Sequence, residues 1–415
     1  MTTQTCIIIG GGHAAAKLAE SLREQGWKGQ ITMICAEASP PYHRPPLSKD
    51  FLAGTRNRDD LMISMSDFYL ENNIKVLTGR RVVRIDRKAK VVVLEGGDKL
   101  HYDKLALTTG ARVRKLATPG AGLDGVFYLR TLEDAERIRA YAKKARNAVI
   151  LGAGYIGLEA ASALRAMGLD VTVMEPYHRI MRRVTTEEVS GFFERIHEEE
   201  GVVFRKNMIV NRIEGDKGRV EGVFCDDGNT YPADLVVIGI GVIPETELAE
   251  RAGLKVDSGI FIDEHCQTTD PDIVAAGDCT EFYNAFYGRP VRLESVQNAL
   301  DQAEVAAASV VGKKKSYTQL PWFWSNQYDV KLQIAGLNTD FDQIVIRGEL
   351  KSGRKASVFY LRDNRIISVY AMNTPPDFAL GKRLIEQRVE VGAERLSDTR
   401  IPLKDFMLPK EPVAH

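Results

Sequence analysis

The sequence predicts an α/β protein with two doubly wound, parallel-sheet units and a small α+β domain at its C-terminal end. Two glycine-rich turns each follow a short apolar run and open an amphipathic helix, and a carboxylate ends the next apolar run in both copies. After about Ser316 the pattern changes to strand-like segments separated by turn residues. A chain of 415 residues has ample material for several cores.

Composition excludes several classes of protein before any motif is considered. Hydrophobic residues make up 44% and charged residues 27% of the chain, which is typical of a globular protein and too apolar for a disordered one. Lys plus Arg equals Asp plus Glu at 56 each, so no net charge attracts a polyanion or an acidic membrane surface. Nucleic acid is therefore disfavoured as a partner.

Targeting, membrane and metal signals are weak. No basic segment precedes the first apolar run, and glycines interrupt that run early. The apolar stretch 235–243 is far shorter than the roughly 20 residues that a membrane-spanning helix needs. The five cysteines are widely spaced without a Cys-x-x-Cys pair, which disfavours disulfides and metal clusters. We therefore expect a cytoplasmic protein with no metal site and no membrane contact.

The strand, glycine turn and helix pattern occurs twice. In the first copy, residues 5–12 are predicted as a strand that runs into a glycine turn, 13–26 as a helix and 31–35 as a second strand. In the second copy, the first strand is predicted at 148–151, the helix at 155–167 and the second strand at 171–174, with the glycine turn at 152–154. Farther along, short strands are predicted at 260–262 and 273–276, and a helix at 296–308. The C-terminal stretch predicts strands at 356–361 and 366–370 around the turn Asp363-Asn364, and a helix at 377–386.

Glycines occupy the positions at which a dinucleotide approaches the backbone. In the first copy Gly10 permits a tight turn, Gly12 lets a pyrophosphate lie against the backbone, and the small Ala15 lets the helix pack on the strand. The first turn of each following helix offers unpaired amides to phosphate oxygens. The corresponding positions of the second copy are all glycines, namely Gly152, Gly154 and Gly157. The sequence therefore predicts two dinucleotide-binding units.

A carboxylate follows each glycine turn at the end of the next predicted strand. Glu37 and Glu175 lie about 20 to 25 residues beyond their turns, where a carboxylate accepts hydrogen bonds from ribose hydroxyls. Glu175 also favours NADH, because a carboxylate beside the ribose repels the extra phosphate of NADPH. Arg179, Arg182 and Arg183 keep the choice open, since they either contact phosphate or line a solvated surface. For Arg183 a third role is to hold the NADH pyrophosphate.

An ordered set of motifs extends along the whole chain and is similar to that of a known family. The motifs are Ile-Ile-Ile-Gly-Gly-Gly at 7–12, Pro-Tyr-His-Arg-Pro-Pro-Leu-Ser-Lys at 41–49, Thr-Thr-Gly-Ala at 108–111, the second glycine turn at 152–159, Gly-Val-Ile-Pro at 241–244, Ala-Ala-Gly-Asp at 275–278, Glu-Ser-Val-Gln-Asn-Ala at 294–299 and Pro-Trp-Phe-Trp-Ser at 321–325. In their order and spacing they resemble the FAD-dependent NADH:ferredoxin reductases that serve bacterial Rieske-type oxygenases and cytochromes P450.

The resemblance implies a fold with two Rossmann-like domains of glutathione-reductase type, one for FAD and one for NAD(P). The implied FAD-binding domain is discontinuous and consists of residues 1–112 and 242–315. Residues 113–241 would form the inserted NADH-binding domain, and residues 316–415 the C-terminal α+β domain. Composition and periodicity alone do not show this interruption.

The resemblance also implies which residues contact FAD. Arg44 would support the pyrophosphate, Asp278 would meet the ribitol, and amides near Val296 would stabilise negative charge on the reduced flavin. The alternative for Asp278 is a turn or helix-cap role, and that for Arg44 is a surface position. The full implied set is Gly10, Gly12, His13, Ala14, Ala15, Glu37, Arg44, Lys49, Val82, Thr109, Gly110, Arg130, Gly277, Asp278, Ser295, Val296 and Trp324.

A second implied set contacts NADH, and two of its members stand out. The resemblance pairs Lys49 with Glu159 beside the flavin ring, where they would orient the nicotinamide as the catalytic pair. An ordinary salt bridge, or two unconnected surface charges, is the alternative for this pair. The implied NADH residues are Gly152, Gly154, Tyr155, Ile156, Gly157, Glu159, Glu175, Arg183 and Gly241.

The activity implied by the resemblance is hydride transfer from NADH to FAD and delivery of single electrons to a [2Fe-2S] ferredoxin that docks near Trp324. Trp322 and Trp324 have a core or interface role as their alternative. A disulfide reductase is disfavoured because no two cysteines are close in sequence. Rubredoxin reductase and NADH oxidase stay open, since nothing in the motifs fixes the electron acceptor. A signalling flavoprotein resembling apoptosis-inducing factor is the alternative outside enzymes.

Overall fold

The computed structural model describes residues 4–407, except for the side chain of Ser66, so residues 1–3 and 408–415 of the predicted domains lie outside the described part. The strands are β1 (Thr5–Ile9), β2 (Gln30–Ile34), β3 (Ile74–Leu77), β4 (Val82–Asp86), β5 (Val91–Leu94), β6 (Lys99–His101), β7 (Lys104–Leu107), β8 (Ala111–Val113), β9 (Val126–Tyr128), β10 (Asn147–Leu151), β11 (Asp170–Glu175), β12 (Val203–Lys206), β13 (Val210–Asp216), β14 (Arg219–Cys225), β15 (Thr230–Pro232), β16 (Leu235–Ile238), β17 (Val242–Pro244), β18 (Ile260–Ile262), β19 (Ile273–Ala275), β20 (Thr280–Asn284), β21 (Arg289–Val291), β22 (Trp322–Gln327), β23 (Val330–Gly336), β24 (Gln343–Gly348), β25 (Ala356–Arg362) and β26 (Arg365–Met372). The helices are α1 (His13–Glu24), α2 (Ser66–Glu71), α3 (Leu132–Ala142), α4 (Tyr155–Ala166), α5 (Glu187–Glu199), α6 (Glu247–Arg251), α7 (Val296–Val310), α8 (Pro375–Glu386) and α9 (Ala393–Ser397), and short 3-10 turns lie at Pro45–Ser48, Asp59–Leu61 and Leu403–Phe406.

The described residues form two compact units, each assembled from separate stretches of chain. The first unit contains residues 4–45, 57–112 and 242–319, and the second contains residues 46–56, 113–241 and 320–407. The short segment 46–56 therefore belongs with the second unit, although its neighbours on both sides belong to the first. The division into three domains stays a prediction.

The first unit is built on a parallel sheet in the order β19-β7-β1-β2-β3. From Cys6 to Ile9 its central strand β1 is a continuous run of buried apolar side chains, as expected for a parallel strand that is covered on both faces. Helix α1 buries Leu18, Ala19 and Leu22, which recur at helical spacing, and α1 packs against α7. This unit also contains two small three-stranded sheets, β4-β5-β6 and β18-β20-β21, and strand β17 of the two-stranded sheet β17-β8.

The second unit contains a parallel sheet of the same kind and an antiparallel one. The parallel sheet has the order β12-β11-β10-β16-β9, with α4 packed against β10 and β11. The antiparallel sheet has the order β22-β23-β26-β25-β24 and packs against α8. A further small antiparallel sheet is formed by β13, β14 and β15. The predicted α/β fold class with a C-terminal α+β part is thus confirmed.

Element boundaries differ from the sequence prediction mainly at turns. The segment 5–12, predicted as a strand that runs into a glycine turn, divides after Ile9, because Gly10 already has a φ of 136°. The turn predicted at Asp363-Asn364 is present, with φ values of 52° and 58° that suit a tight hairpin between β25 and β26. Within residues 4–407 no helix is both long and apolar enough to cross a membrane.

A buried histidine joins helix α5 to the antiparallel sheet of the second unit. His197 on α5 has no exposed surface, and its Nε2 atom lies 2.8 Å from Oε1 of Gln327 on β22. The hydroxyl of Tyr328 lies 3.3 Å from Nδ1 of the same ring. Burial lowers the pKa of His197 to about 4, although the bond with Gln327 and the charge of Glu200 act in the opposite direction. His197 is therefore neutral in the folded protein at pH 7.

Acidification is expected to destabilise the protein through His197. The pKa of a histidine in an unfolded chain is about 6.5, so the unfolded state binds more protons between about pH 4 and pH 6.5. The contribution of His197 to the free energy of unfolding is intact above about pH 6.5. It falls as the pH is lowered towards about 4, by roughly 3 kcal/mol in all. Urea unfolding at pH 7 and at pH 4.5 measures how much stability each protein loses on acidification. The free energy of unfolding should fall less for His197→Gln than for wild type. His178→Gln, at an exposed histidine, is the control, and equal losses in all three proteins would contradict the assignment.

Candidate functional site

The glycine turn of the first unit is shaped by close backbone contact. A Cβ at Gly10 would lie 2.1 Å from the carbonyl oxygen of Thr108, so no other residue fits there without a shift of the backbone. At Gly12 a Cβ would meet only Nε of Arg44, at 4.0 Å. Gly12 is also the N-cap of α1 and brings no capping side chain, which leaves the amides of the first helical turn available to a ligand. No contact among residues 4–407 requires glycine at residue 12, but a phosphate group that approaches the backbone would.

Arg44 and Glu37, predicted to contact pyrophosphate and ribose, form an ion pair with each other. Glu37 also accepts a hydrogen bond of 2.5 Å from the hydroxyl of Tyr42, and the Arg44 guanidinium lies 5.0 Å from the centre of the Tyr42 ring. Burial acts to lower the pKa of Arg44, but Tyr42, Glu37 and Asp278 outweigh it and raise the pKa. Arg44 is therefore a fixed cation beside the glycine turn, and Asp278 is close enough to affect it.

The Gly277-Asp278 turn is held from α7. Gly277 has a φ of 92°, and its amide donates a 2.8 Å hydrogen bond to Oε1 of Gln302, which also accepts from Thr280. A Cβ at Gly277 would lie 3.3 Å from that of Ala14, so the start of α1 packs closely against this turn. Ser295 caps α7 by accepting from the amide of Asn298, and Val296 is the first residue of that helix. These elements place two helix N-termini, of α1 and α7, in the first unit.

The other predicted FAD residues occupy varied positions. In the first unit Thr109 donates a 2.6 Å hydrogen bond to the carbonyl of Glu245, and the carbonyl of Gly110 accepts from the amide of the same residue. Val82 begins β4, and its side chain is buried in the unit's core. Arg130 and Trp324 belong to the second unit, in which the amide of Arg130 donates to Asp134, and the Trp324 ring lies 5.5 Å from that of Trp322.

The glycine turn of the second unit has the same design as the first. A Cβ at Gly152 would lie 2.7 Å from the carbonyl oxygen of Gly239, and one at Gly157 would lie 2.1 Å from that of Gly152. At Gly154, the N-cap of α4, a Cβ would meet nothing within 4 Å. Among the described residues the buried hydroxyl of Tyr155 has no hydrogen-bond partner. Open space at Gly154 and an unpaired hydroxyl beside it fit a dinucleotide.

Glu175, Arg179 and Arg182, which follow this turn in sequence, make different contacts. Glu175 is buried, and its Oε2 accepts a 2.9 Å hydrogen bond from the amide of Ala153 inside the turn. Arg179 donates to the carbonyl of Thr185 and to Ser190, so it belongs to the framework of the loop. The guanidinium of Arg182 lies 4.4 Å from the centre of the exposed Tyr177 ring.

Arg183 lies at the end of the sheet next to Gly241. A Cβ at Gly241, whose φ is 103°, would lie 3.1 Å from a terminal nitrogen of the Arg183 guanidinium. Gly241 therefore leaves room for this cation, and the structure brings two predicted NADH residues together. Ile156, a third, is exposed on the first turn of α4.

Lys49 and Glu159 form a buried ion pair. Nζ of Lys49 lies 2.6 Å from Oε2 of Glu159, with the two side chains 15% and 1% exposed. Ser48 donates to the same oxygen at 2.5 Å, and Ser325 of β22 donates to Oε1 at 2.6 Å. Both oxygens of a carboxylate in α4 are thus held by hydroxyl or ammonium donors. The alternative of two unconnected surface charges is wrong.

The segment that carries Lys49 is anchored by its own side chains. Consecutive prolines open it, and the amide of Lys49 donates to the carbonyl of Pro46 at 3.0 Å in a 3-10 turn. Phe51 is fully buried beneath the guanidinium of Arg139 on α3, 4.7 Å from its ring centre. These contacts explain why segment 46–56 belongs to the second unit.

The cysteines of the described residues are buried, and their thiols are not ionised where a pKa shift is resolved. All five cysteines, Cys6, Cys35, Cys225, Cys266 and Cys279, are buried and free. Burial raises the pKa of Cys6 and of Cys35 to about 12, so these thiols are protonated at neutral pH. Within residues 4–407 no group of three or more His, Cys, Asp or Glu side chains is arranged to hold a metal ion.

Comparison with known proteins agrees with this geometry. The model of the pyridine nucleotide-disulphide oxidoreductases matches residues 4–303, and a reductase C-terminal model matches residues 322–407. The chain belongs to the pyridine nucleotide-disulphide oxidoreductase family. It is 43% identical to putidaredoxin reductase of Pseudomonas putida, over 97% of this chain and 96% of that protein. The predicted resemblance is confirmed.

Two further matches cover nearly the whole chain. A crystal structure of a covalent complex of putidaredoxin reductase and putidaredoxin matches with a TM-score of 0.94 and 42% identity, over 97% of this chain and 98% of that one. A rubredoxin-NAD(+) reductase of Pseudomonas putida is 38% identical, over 89% of this chain and 96% of that protein. The likeness includes the C-terminal part that carries Trp324.

Several contacts at the site are not contained in the sequence prediction. Ser48 and Ser325 hold Glu159, Tyr42 holds Glu37, and Gln302 holds the Gly277 turn. One signal was available for Ser325. It directly follows three aromatic residues in a strand-like stretch, and a hydroxyl buried there needs a partner.

Proposed function

We propose that this protein is an FAD-dependent NADH:ferredoxin reductase that takes a hydride from NADH and passes single electrons to a [2Fe-2S] ferredoxin, which feeds an oxygenase or a cytochrome P450. The observation that carries the proposal is the full-length likeness to putidaredoxin reductase, together with two glycine turns that fit dinucleotides. The discontinuous FAD-binding domain, the inserted NADH-binding domain and the C-terminal domain keep the boundaries stated above.

The first unit supplies the groups that suit FAD. Bound FAD would supply the chemistry, since its ring accepts a hydride and gives up electrons singly. Arg44 presents a permanent, oriented positive charge next to the open position at Gly12, as a pyrophosphate requires. The N-termini of α1 and α7 add amides that favour negative charge. Lys49, Arg130 and Trp324 remain proposed contacts of the same cofactor.

The second unit supplies the groups that suit NADH. Gly154 leaves the backbone of the α4 turn open to a pyrophosphate, and Arg183 is a nearby cation. Glu175, fixed by the amide of Ala153, favours a ribose with free hydroxyls over one with a phosphate. Because Arg179 is bonded within its own loop, it is less suited to bind that phosphate. We therefore propose NADH as the preferred donor.

Lys49 and Glu159 hold the nicotinamide in this proposal. A buried ion pair with two further hydroxyl donors is rigid, and rigid placement of reactants is a large part of hydride-transfer catalysis. The reaction as proposed requires no acid or base residue. The pair therefore acts through position and charge.

Two other activities within the family deserve comparison. Disulfide reduction needs a reactive thiol pair, whereas the cysteines here are buried and free, with raised pKa values for Cys6 and Cys35. Rubredoxin reduction is the second candidate, because a rubredoxin-NAD(+) reductase is among the relatives. Free thiols also agree with a reducing compartment, and we infer a cytoplasmic location.

Anaerobic mixing with NADH or NADPH tests the proposal. We expect NADH to bleach the yellow colour of the protein faster than NADPH does, and added [2Fe-2S] ferredoxins to be reduced faster than rubredoxins. A colourless, cofactor-replete protein would contradict the proposal as a whole. Faster reduction of rubredoxin would establish the second candidate, and rapid NADH consumption with oxygen alone would indicate an oxidase. A DNA mobility shift at physiological salt would favour the signalling flavoprotein.

A further inference from the structure

A row of buried polar side chains in the second unit ends at Glu159. We call it the buried polar row. Its buried members are Glu159, Ser325, Gln327 and His197, and the half-buried Tyr328 lies at its other end. Ser325 Oγ lies 2.6 Å from Glu159 Oε1, and Gln327 Nε2 lies 3.1 Å from Ser325 Oγ. His197 lies 2.8 Å from Gln327 and 3.3 Å from the Tyr328 hydroxyl. The row thus extends from α5 through β22 to α4.

Packing alone does not explain these polar residues. Ser325, Gln327 and His197 are completely buried, where apolar side chains of similar volume would avoid the cost of desolvation. On β22, Ser325 and Gln327 alternate with Trp322 and Trp324, whose rings contact each other. The Ser325 and Gln327 side chains therefore occupy the strand face that leads to Glu159 rather than the tryptophan face.

The chemistry of the groups fixes the direction of every hydrogen bond in the row. Ionised Glu159 only accepts, so Ser325 donates to it, and Ser325 in turn accepts from the amide nitrogen of Gln327. The amide oxygen of Gln327 must then accept from Nε2 of His197. A neutral His197 has an acceptor at Nδ1, to which Tyr328 donates. All four donors point towards the carboxylate.

We propose that Ser325 is a positioning residue for Glu159, and that Gln327 and His197 hold the Ser325 hydroxyl in its donating orientation. The inference rests on the proposed function, in which Lys49 and Glu159 orient the nicotinamide. Lys49 and Ser48 hold one carboxylate oxygen, and Ser325 holds the other. Because the terminal torsion of a glutamate is soft, a carboxylate held at one oxygen rotates, whereas one held at both keeps its plane.

Chain hydrogen bonding strengthens this arrangement. Successive bonds that point the same way polarise one another, and a charged acceptor at the end makes the last bond the strongest. This chain of hydrogen bonds requires a neutral His197, because a protonated ring would offer the Tyr328 hydroxyl no acceptor. The C-terminal sheet thereby contributes to the nucleotide end of the site through Ser325, next in sequence to Trp324.

Ser325→Ala tests the proposal, with Ser357→Ala as the matched control. Ser357 is a completely buried serine of the same sheet that also donates to a carboxylate, 2.8 Å from Asp377, but it lies outside the polar row. In stopped-flow reduction by NADH we expect Ser325→Ala to be slowed about tenfold or more at saturation, with apparent NADH affinity changed much less. Ser325→Thr should recover most of the rate, and Ser357→Ala should match wild type.

Two further measurements separate positioning from a general structural role. In a Glu159→Gln background, added Ser325→Ala should slow reduction little further, since its effect passes through Glu159. An undiminished effect there, or a wild-type rate for Ser325→Ala alone, would overturn the proposal. If Ser325→Ala does not fold, Gln327→Met takes its place, and a rate equal to wild type for that variant would likewise overturn it.

Crystal structures give a readout that needs no turnover. We expect the Glu159 carboxylate to be rotated or in several conformers in Ser325→Ala and unchanged in Ser357→Ala. An unchanged Glu159 in both would refute the positioning role. If wild type were not reduced by NADH, the proposed function would fail, while the Glu159 conformations would still decide whether Ser325 positions this residue.

Discussion

Lys49→Met is expected to lower the free energy of unfolding by about 3 kcal/mol, because it leaves a buried carboxylate without its cation. Glu159 is only 1% exposed, and water cannot replace the ammonium group. Ser48 and Ser325 would still donate to the carboxylate, which keeps the loss near the lower end of the range for broken buried pairs. Reduction by NADH should slow as well, since the remaining carboxylate is no longer held by charge.

The double variant Lys49→Met, Glu159→Gln separates these two effects. It buries no charge, so we expect it to recover most of the lost stability but not the rate of reduction. Urea unfolding followed by circular dichroism measures the first quantity, and stopped-flow absorbance the second. Lys17→Met is the control, because Lys17 and Glu20 form a partly exposed pair worth at most about 1 kcal/mol. Equal free energies of unfolding for Lys49→Met and Lys17→Met would show that breaking the buried pair does not destabilise the protein.

Gly157→Ala and Gly154→Ala are expected to have opposite profiles, although both lie in the turn at α4. A Cβ at residue 157 would lie 2.1 Å from a backbone carbonyl, so we expect a loss of roughly 3 kcal/mol in the free energy of unfolding. A Cβ at residue 154 meets nothing within 4 Å, and the φ of −82° suits alanine. Gly154→Ala should therefore alter stability by no more than about 1 kcal/mol.

Gly154→Ala should instead weaken NADH binding by about tenfold or more, because the added methyl group occupies the place where a pyrophosphate approaches the backbone. Titration of each variant with NAD+ by calorimetry measures this effect apart from turnover. Gly191→Ala is the control, because it adds the same atom at an exposed glycine of the same unit, where a Cβ would likewise meet nothing within 4 Å. Wild-type affinity of Gly154→Ala would mean that the second glycine of this turn does not face the dinucleotide.

Short-range patterns predicted those parts of the site that depend on local sterics. Gly10 and Gly152 both have a positive φ directly after a strand. An apolar run that ends in glycine predicts such a turn from the order of residues alone. The helix predicted at 155–167 is α4, Tyr155–Ala166, because its apolar spacing is a local property as well. The turn at Asp363-Asn364 was predictable for the same reason.

Contacts over long stretches of chain needed the tertiary structure. Nothing in the local sequence indicates that Ser48 and Ser325, which are 111 and 166 residues away from Glu159, hold its two oxygens. The ion pair between Glu37 and Arg44, and the bonds of Arg179 within its loop, likewise follow from how the chain packs.

The sequence by itself determined the fold class and the two glycine turns, since backbone sterics and hydrophobic periodicity act over a few residues. Only the tertiary structure decided which donors satisfy the buried carboxylate and that segment 46–56 joins the second unit. The physical reason is that burial makes a hydrogen-bond partner obligatory, while the topology alone selects which distant residue supplies it.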